Sequence, residues 1–572
     1  MENLYIDLST GRAERKPVPP EDRTRGGRYA VVTVTNQLVP PLADPLGPHS
    51  VVTLAGGPLA GVGITSAGRL SVGGKSPLTG GIKEANAGGT AGDSLARLGL
   101  RAAVLTGRRP PGETVLIEID ECGAVLRPCP ELAGLGNYEL AERLKAAYSG
   151  DYTLVSVGPA GELGYLAAGV AVTDLEFRPS RFAARGGMGA VLGRKGVKAI
   201  LIKKTGGCRP PGATSREFAA ARRTFNQTVR TSERTKVLAK YGTSSTVALV
   251  DRLGALPTRN FSRGRFEGVE GITGEALYDL IEARGGAGAH SHACMAGCAI
   301  QCSNVVPGPD GTEAVSPLEY ETLGMMGSNL GLDDLDTIAR LNWLANDLGV
   351  DTIEVGATLG VMAEAGLARF GDGREFERIM QEIPGGTLLG RLAGNGCGLA
   401  GRLLGVRRVP TVKNQAFAAY DPRGVKGTGV TYATSPMGAD HTAGLTVFAQ
   451  ADHGSKEGQV ELSRRMQVGR AAYDGLGLCA FLQSSVGSRP DLVIDLLRTL
   501  WQVEVPPDYL DALGREVILA ELAYNRAAGL GPETDRLPEF LEDEALPPLD
   551  LVWDVSLAEL AALAEGLSRE PE

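Results

Sequence analysis

The apolar positions of this chain come in two textures. Through about residue 205 they form short, β-branched runs: "YAVVTVTN" (29–36), "SVVTLAGG" (50–57), "AAVLTG" (102–107), "TVLIEID" (114–120), "YTLVSVG" (152–158) and "VKAILIKK" (197–204). Each is strand-length and is separated from the next by Gly, Pro and other turn residues, which predicts a sheet-based N-terminal domain. These runs stop at the polar, Gly- and Pro-bearing stretch "KKTGGCRPPGATS" (203–215).

From Ser215 onward the apolar residues recur with a helical period. The clearest windows are "SREFAAARRTFNQTVRTSERTKVLAKYG" (215–242), "DLDTIARLNWLANDLGVDTIEVGATLGVMAEAG" (334–366) and "RPDLVIDLLRTLWQVEV" (489–505). A second break falls at "LLGVRRVPTVKNQ" (403–415). The pattern predicts an α+β chain in three parts: a β-rich domain over 1–208 and two mainly helical domains over 209–410 and 411–572. No internal repeat stands out, and the Gly–Gly doublets read as turns.

Composition narrows the function classes. The 572 residues suffice for several packed cores, being 43% hydrophobic although poor in aromatics. Net charge is −9, and Lys and Arg are scattered through the chain, which argues against nucleic acid as the main partner. No apolar run approaches the roughly 18 residues that span a bilayer, so no membrane association is expected. The opening "MENLYIDLSTGR" has neither a basic n-region nor an apolar h-region, and is not read as an export signal. Eight cysteines in a chain of this length do not make a disulfide scaffold. A reducing, cytoplasmic setting with metal-bound thiols is the expectation.

Three of those cysteines are clustered in "HACMAGCAIQCSN" (292–304), where Cys294, Cys298 and Cys302 lie at i, i+4 and i+8. Zinc ribbons present two C-x₂₋₄-C pairs separated by a spacer, and even spacing fits them poorly. An iron–sulfur cluster takes four thiolates, commonly three local and one distant. Cys122, Cys129, Cys208, Cys397 and Cys479 are all open to the fourth role on composition alone.

At "YDGLGLCAF" (473–481) the chain becomes recognisable: it resembles the aldehyde ferredoxin oxidoreductase family of tungsten or molybdenum bis-pterin enzymes. The matching motifs run nearly end to end. They include "GRLSVGGKSPLTGGIKEANAGG" (68–89), "ARGGMGAVLGRKGVKAI" (184–200), "PLEYETLGMMGSNLG" (317–331), "NDLGVDTIEVG" (346–356), "SPMGADHTAG" (435–444) and "DGLGLCAF" (474–481). The resemblance makes the β-rich domain a platform for the metallopterin. It also makes Cys479 the fourth ligand of a [4Fe–4S] cluster with Cys294, Cys298 and Cys302.

Further roles follow from the same resemblance. Arg69 is implied to lie between pterin and cluster. Asn86, with a backbone carbonyl near Ala183, is implied to help hold a magnesium ion bridging the two pterin phosphates. The Gly-rich stretches carrying Gly88 and Gly89, and Arg185, Gly186 and Gly187, suit buried phosphate, because Gly lets backbone N–H groups approach without a Cβ. Two Asp-x-x-Gly-Leu-(Asp/Cys) segments bind pterin in the family. The later one is intact from Asp474 through Leu478 to Cys479, whereas the earlier one, Asn346 to Asp351, has Asn in the Asp place. Asn accepts through its amide oxygen but carries no charge, and a helix cap is the competing reading there.

Oxidising an aldehyde to a carboxylate removes two electrons and adds an oxygen from water. It needs proton handling beside the metal, for which the resemblance points to Glu321 and His441. Glu319 is the neighbouring alternative to Glu321, and His290 and His292 read as supporting or surface residues. The implied partner is ferredoxin or a polyferredoxin-like iron–sulfur subunit, and the implied substrate a small aldehyde. Some family members bind iron between subunits through Glu-x-x-His. The stretch here is Arg340-Leu-Asn-Trp343, so any homodimer is expected to lack that ion. Two rival readings remain: a tungsten subunit of a benzoyl-CoA type reductase, with Cys397 as a metal ligand, and a non-enzymatic iron–sulfur relay.

Overall fold

The computed structural model describes residues 1–148 and 151–568. Residue contacts divide the chain into two compact units that interleave along the sequence. The first comprises Met1–Lys236, Ala293–Gln301 and Ala471–Ala528, and the second Val237–His292, Cys302–Arg470 and Gly529–Glu572.

The first unit is built on two six-stranded sheets that repeat one topology. In the first sheet the hairpin Glu2–Asp7/Arg12–Pro17 lies beside the last strand, Leu100–Thr106, in parallel register with Asn3 opposite Ala102. That last strand pairs antiparallel with Val52–Gly56, the start of a meander through Leu70–Lys75 and Ile82–Ala87. The second sheet repeats this order. Its hairpin Val115–Asp120/Gly123–Pro128 lies beside the parallel last strand Val197–Lys203, which leads to the meander Tyr152–Ser156, Val170–Val172 and Arg181–Ala183. In each sheet a short helix precedes the last strand: Ala91–Arg97 in the first, Met188–Arg194 in the second. The duplication escapes a reading for sequence repeats because ladder order is what is copied, and hydrogen-bonded backbone leaves side-chain identity free.

Leu4, Ile6, Val52, Leu70 and Val72 of one sheet share a core with Ile117, Val155, Val170, Ile200 and Ile202 of the other. Helices cover the outer faces. Gly27–Leu38 packs Val31 and Val34 against Val104, and Asn137–Ala147 packs Leu140 and Leu144 against Leu154 and Leu201. Strands buried on both faces read as continuous apolar runs, which is why five of the six expected strands are found where the sequence put them.

The sixth is a correction. "YAVVTVTN" lies inside helix Gly27–Leu38 rather than in a strand. β-Propensity is largely a packing preference and yields to tertiary context. Here the helix hides Ala30, Val31, Val32 and Val34. The hydroxyls of Thr33 and Thr35 donate back to Tyr29 and Val31 carbonyls at 2.9 and 2.7 Å, so the β-branched residues are satisfied in helical form.

The second unit is mainly helical. The window 334–366 forms helices Leu335–Leu348 and Thr352–Glu364, N-capped by Asp334 and Asp351 and separated by left-handed Gly349 (φ 74°). A small antiparallel sheet joins Ala289–His292, Ser303–Pro307 and Glu313–Val315. No helix among the described residues is long and apolar enough to cross a membrane.

Lys195 ties the two sheets together: its Nζ donates to the Ser50 and Gly107 carbonyls at 2.6 and 2.7 Å. Burial pushes its pKa down from 10.5 to about 7. Between those values the unfolded chain holds a proton that the folded protein has released, so stability rises with pH. Urea unfolding across this window should show a contribution approaching about 1.4 kcal/mol per pH unit, absent in Lys195→Met. An identical slope in the variant would remove Lys195 as its source.

Candidate functional site

In the first unit, sequence-distant cysteines gather around Ser66 and Arg69. The Cys479 N–H donates to the Ser66 carbonyl at 2.9 Å, and the Ser66 hydroxyl lies 3.3 Å from the Cys298 sulfur. Cys294 hydrogen-bonds Cys298, and that contact, assisted by Ser66, outweighs burial and holds the Cys298 thiol at about 6. A thiol so easily deprotonated is in the form that binds metal. Arg69 is buried, which opposes its charge. Cys479, Cys294, Asp474 and Glu84 outweigh that and keep its pKa above the ordinary value. Gly88 is tight against this group, since a Cβ there would come within 3.0 Å of the Cys294 sulfur. Cys302 opens the second unit's segment Cys302–Arg470, next in sequence to Gln301.

A string of buried polar groups runs away from Arg69. Its Nη2 donates to the Asn86 carbonyl at 2.9 Å, and its Nε contacts the Asn86 side-chain oxygen. The Asn86 amide donates to Asp474 at 3.2 Å, and Asp474 lies 3.5 Å from Arg28. Arg28 is clamped by Glu521 through two bonds of 2.8 and 2.7 Å. Burial first, and Asp474 next, push Glu84 up to about 8. The turn bearing Asp474 fits closely because Gly27 and Gly57 carry no Cβ; one on either would overlap the Asp474 or Leu476 carbonyl. Leu478 is fully buried beyond that turn.

The two Gly-rich loops occupy equivalent places in the duplicated sheets, each leading into the short helix before the last strand. Gly88 and Gly89 follow strand Ile82–Ala87, and Gly89 has φ 97°. Arg185–Gly187 follows strand Arg181–Ala183, with φ of 80° at Gly186 and 77° at Gly187. Lys83 and Arg185 are buried, and the Lys83 stem crosses Gly186, where a Cβ would collide with it. Two paired, glycine-opened loops with buried cations suit a ligand with two similar anionic halves. Gathered cysteines, one of them with an acidic thiol, beside an arginine suit a metal–sulfur group. The donor set therefore fits the cofactors expected from the sequence.

In the second unit, Glu321 lies on the turn Tyr320–Thr322, which continues into a wide π-turn, Leu323–Gly327. His441 starts the turn His441–Ala443, capped by Asp440 through the Thr442 N–H. The Glu321 Oε1 is 3.3 Å from the His441 Nε2, and its Oε2 accepts from the Ala419 N–H at 2.8 Å. The Tyr420 hydroxyl also hydrogen-bonds Glu321. Burial, then Glu321, push that hydroxyl well above its ordinary pKa, so it remains a donor. The Tyr420 ring lies 6.0 Å from that of His441. A proton can pass between this carboxylate and imidazole, and side-chain exposures of 18% and 15% keep bulk water largely away.

Other residues singled out in the sequence fall elsewhere. Glu319 accepts from the Thr243 hydroxyl. Asp351 accepts from the Ile353 N–H at 3.1 Å as a helix N-cap, and Asn346 is buried in the preceding helix. His290 meets Glu282 at 3.0 Å. Arg340 pairs with Glu377 at 2.9 Å and lies over the Trp343 ring. Cys397 starts a helix with its N–H held by Glu354. Ser66, Arg28, Glu521 and Tyr420 were not read from the sequence. Arg28 was hidden by the strand reading beside it, and "AAYDPRG" around Tyr420 offers only an aromatic before a turn.

Comparisons with known proteins agree along the chain. A family model described as aldehyde ferredoxin oxidoreductase, N-terminal domain, matches residues 3–204, and one described as domains 2 and 3 matches residues 220–554. The tungsten-containing aldehyde ferredoxin oxidoreductase of Pyrococcus abyssi is 32% identical over 540 residues, covering 89% of this chain and 85% of its own length. An aliphatic sulfonate oxidoreductase, WOR-like subunit, of Pyrococcus furiosus is 22% identical over 518 residues, covering 83% of this chain and 77% of its own. The active site complex BamBC of benzoyl coenzyme A reductase, solved with 1,5-dienoyl-CoA, shares the fold. It has a TM-score of 0.80 at 18% identity, over 99% of this chain and 93% of that one.

The Glu521 clamp makes a direct prediction. Glu521→Gln removes the charged clamp and leaves the buried Arg28 with Asp474, at 3.5 Å, as its nearest anion, and should cost about 3 kcal/mol of stability in denaturant unfolding. A loss below about 0.5 kcal/mol would mean that the clamp is not what neutralises Arg28.

Proposed function

The chain belongs to the aldehyde ferredoxin oxidoreductase family, and on that premise we propose that it oxidises an aldehyde with water to the carboxylate. The overall change releases two electrons and three protons per aldehyde. The observation that carries this reading is the Glu321–His441 pair, 3.3 Å apart, with Tyr420 on its carboxylate.

In this reading a tungsten (or molybdenum) bis-pterin supplies the two-electron acceptor and a [4Fe–4S] cluster the one-electron outlet. Arg69, Asp474 and Leu478 would hold the pterin from one side, with Gly88, Gly89, Arg185, Gly186 and Gly187 at its phosphates. Asn86 and the Ala183 carbonyl would take the magnesium ion. Asn346 and Asp351 are proposed pterin contacts whose weight is reduced, because Asp351 already serves a helix cap. Cys294, Cys298, Cys302 and Cys479 would hold the cluster. Electrons would leave to ferredoxin or to an iron–sulfur subunit, in the cytoplasm.

The chain's own residues handle the protons. Ala419 and Tyr420 donate to Glu321, fixing the carboxylate so that Oε1 faces His441. Held this way, Glu321 can take a proton from attacking water and pass it to the neighbouring imidazole. The arylacyl-CoA alternative would call on Cys397 as a metal ligand. Its full burial at a helix start, with its N–H held by Glu354, gives that alternative no support.

The test is anaerobic purification, elemental analysis and viologen-coupled assay against aldehydes and an aryl-CoA thioester. Iron, labile sulfide and tungsten or molybdenum, with activity on aldehydes, is the expected result; turnover of the thioester alone would contradict it. Glu321→Gln should lower kcat by about 10²–10⁴-fold with metal content unchanged.

A further inference from the structure

One surface of the first unit has the character of a protein docking face. Helix Arg216–Thr231 buries Phe218, Phe225 and Val229 and presents Arg216, Arg223 and Arg230 to solvent. A spacing of seven aligns these three in a row along one flank. Among the described residues, none of the three makes an ion pair or hydrogen bond. Glu217, the helix's acidic residue, lies about 100° round from Arg216 and so outside the row.

The row lies on the side of the exposed face nearer the loop that touches Cys298 and Cys479, with Arg223 and Arg230 about 40–60° round the helix from Asn226. Asn226, within one turn of both Arg223 and Arg230, accepts from the Thr65 N–H at 3.0 Å and donates to the Gly63 carbonyl at 3.1 Å. Arg222, one turn earlier, donates to the Val62 carbonyl at 2.9 Å. The next residue of that loop, Ser66, touches Cys298 and accepts from Cys479. Thr65 accepts from the Ala299 N–H at 2.8 Å, fastening the cysteine segment to the same loop. Between Cys294 and Cys298 the surface is made by exposed Ala296 and Gly297, and a Cβ on Gly297 would meet nothing within 4 Å. The segment between Cys294 and Cys298 thus reaches the surface through two small residues, and the loop that fastens it also holds the arginine-bearing helix.

From this juxtaposition we propose that the Arg216–Arg223–Arg230 row, with the Ala296–Gly297 window, is the docking face for a small acidic iron–sulfur electron acceptor. The proposal rests on the electron-outlet reading above and gives it a place. Charge selects the occupant: the whole chain is acidic at −9, so an acidic partner is repelled in general and drawn in at a local cationic row. The small residues of the window let the partner's redox centre come close to the thiols, which a one-electron hop requires. The row falls on one helix within a set of cations otherwise scattered through the chain.

The test is calorimetric binding of a purified acidic [4Fe–4S] ferredoxin to the holoenzyme and to its Arg216→Gln/Arg223→Gln/Arg230→Gln variant, at low and high salt. The variant should bind about tenfold more weakly at low salt, and high salt should erase the difference. Its aldehyde-dependent viologen reduction should match the unmodified protein, and the exposed Arg374→Gln should bind normally. Equal affinity of triple variant and unmodified protein, or no binding by either, would overturn the docking face. Loss of binding in the triple variant with no aldehyde turnover by the unmodified protein would sink the catalytic proposal and leave the docking face standing.

Discussion

The first unit depends on offsetting the charges it holds in a dry interior against one another. Glu521 clamps Arg28, Arg28 faces Asp474, Asp474 accepts from Asn86, and Asn86 holds Arg69 beside Cys294 and Cys479. Each link satisfies the one before it, and removal of any member exposes its neighbour to the full cost of burial. The string also crosses the fold, joining helices Tyr509–Ala527 and Gly27–Leu38, strand Ile82–Ala87 and the helix end before Cys479. It therefore fixes distant stretches of chain relative to one another as a by-product of neutralising itself. Closely packed glycines at 27 and 57 let the Asp474 turn come near enough to join it.

The duplicated sheet topology explains why the glycine-rich loops come in two. A loop that follows the third meander strand and opens into a short helix occurs once per sheet, so 88–89 and 185–187 are equivalent by construction. The second unit contributes a different capability. A carboxylate pinned by one backbone N–H and one phenol, and facing an imidazole, is arranged to move a proton rather than to stabilise a charge. In the proposed aldehyde oxidation the two units would supply the electron and proton halves of one reaction.

Much of this was legible in the sequence where local chemistry carried it. Buried strands announced themselves as unbroken apolar runs, and helices by apolar residues recurring at a helical period in windows such as 215–242 and 334–366. The motifs around Arg69, Asp474 and His441 marked residues that the fold brings into polar clusters. What could not be read is what long-range packing decides. The Val-rich stretch 29–36 carries the residues of a strand but caps a sheet as a helix. The misreading concealed Arg28, whose meaning comes from Glu521, 493 positions away, and from Asp474. Tyr420 becomes informative only once its hydroxyl is seen on Glu321. The sheet duplication is written in hydrogen-bond order, which leaves little trace in residue identity.

The account stands or falls on Cys479 acting with the clustered thiols although it lies far from them in sequence. The most direct measurement is electron paramagnetic resonance of the anaerobically prepared, dithionite-reduced protein, compared with Cys479→Ala and Cys397→Ala variants. A reduced cubane signal that persists in Cys397→Ala and is lost or converted to a three-iron form in Cys479→Ala is the result expected. An unaltered cubane in Cys479→Ala would contradict it.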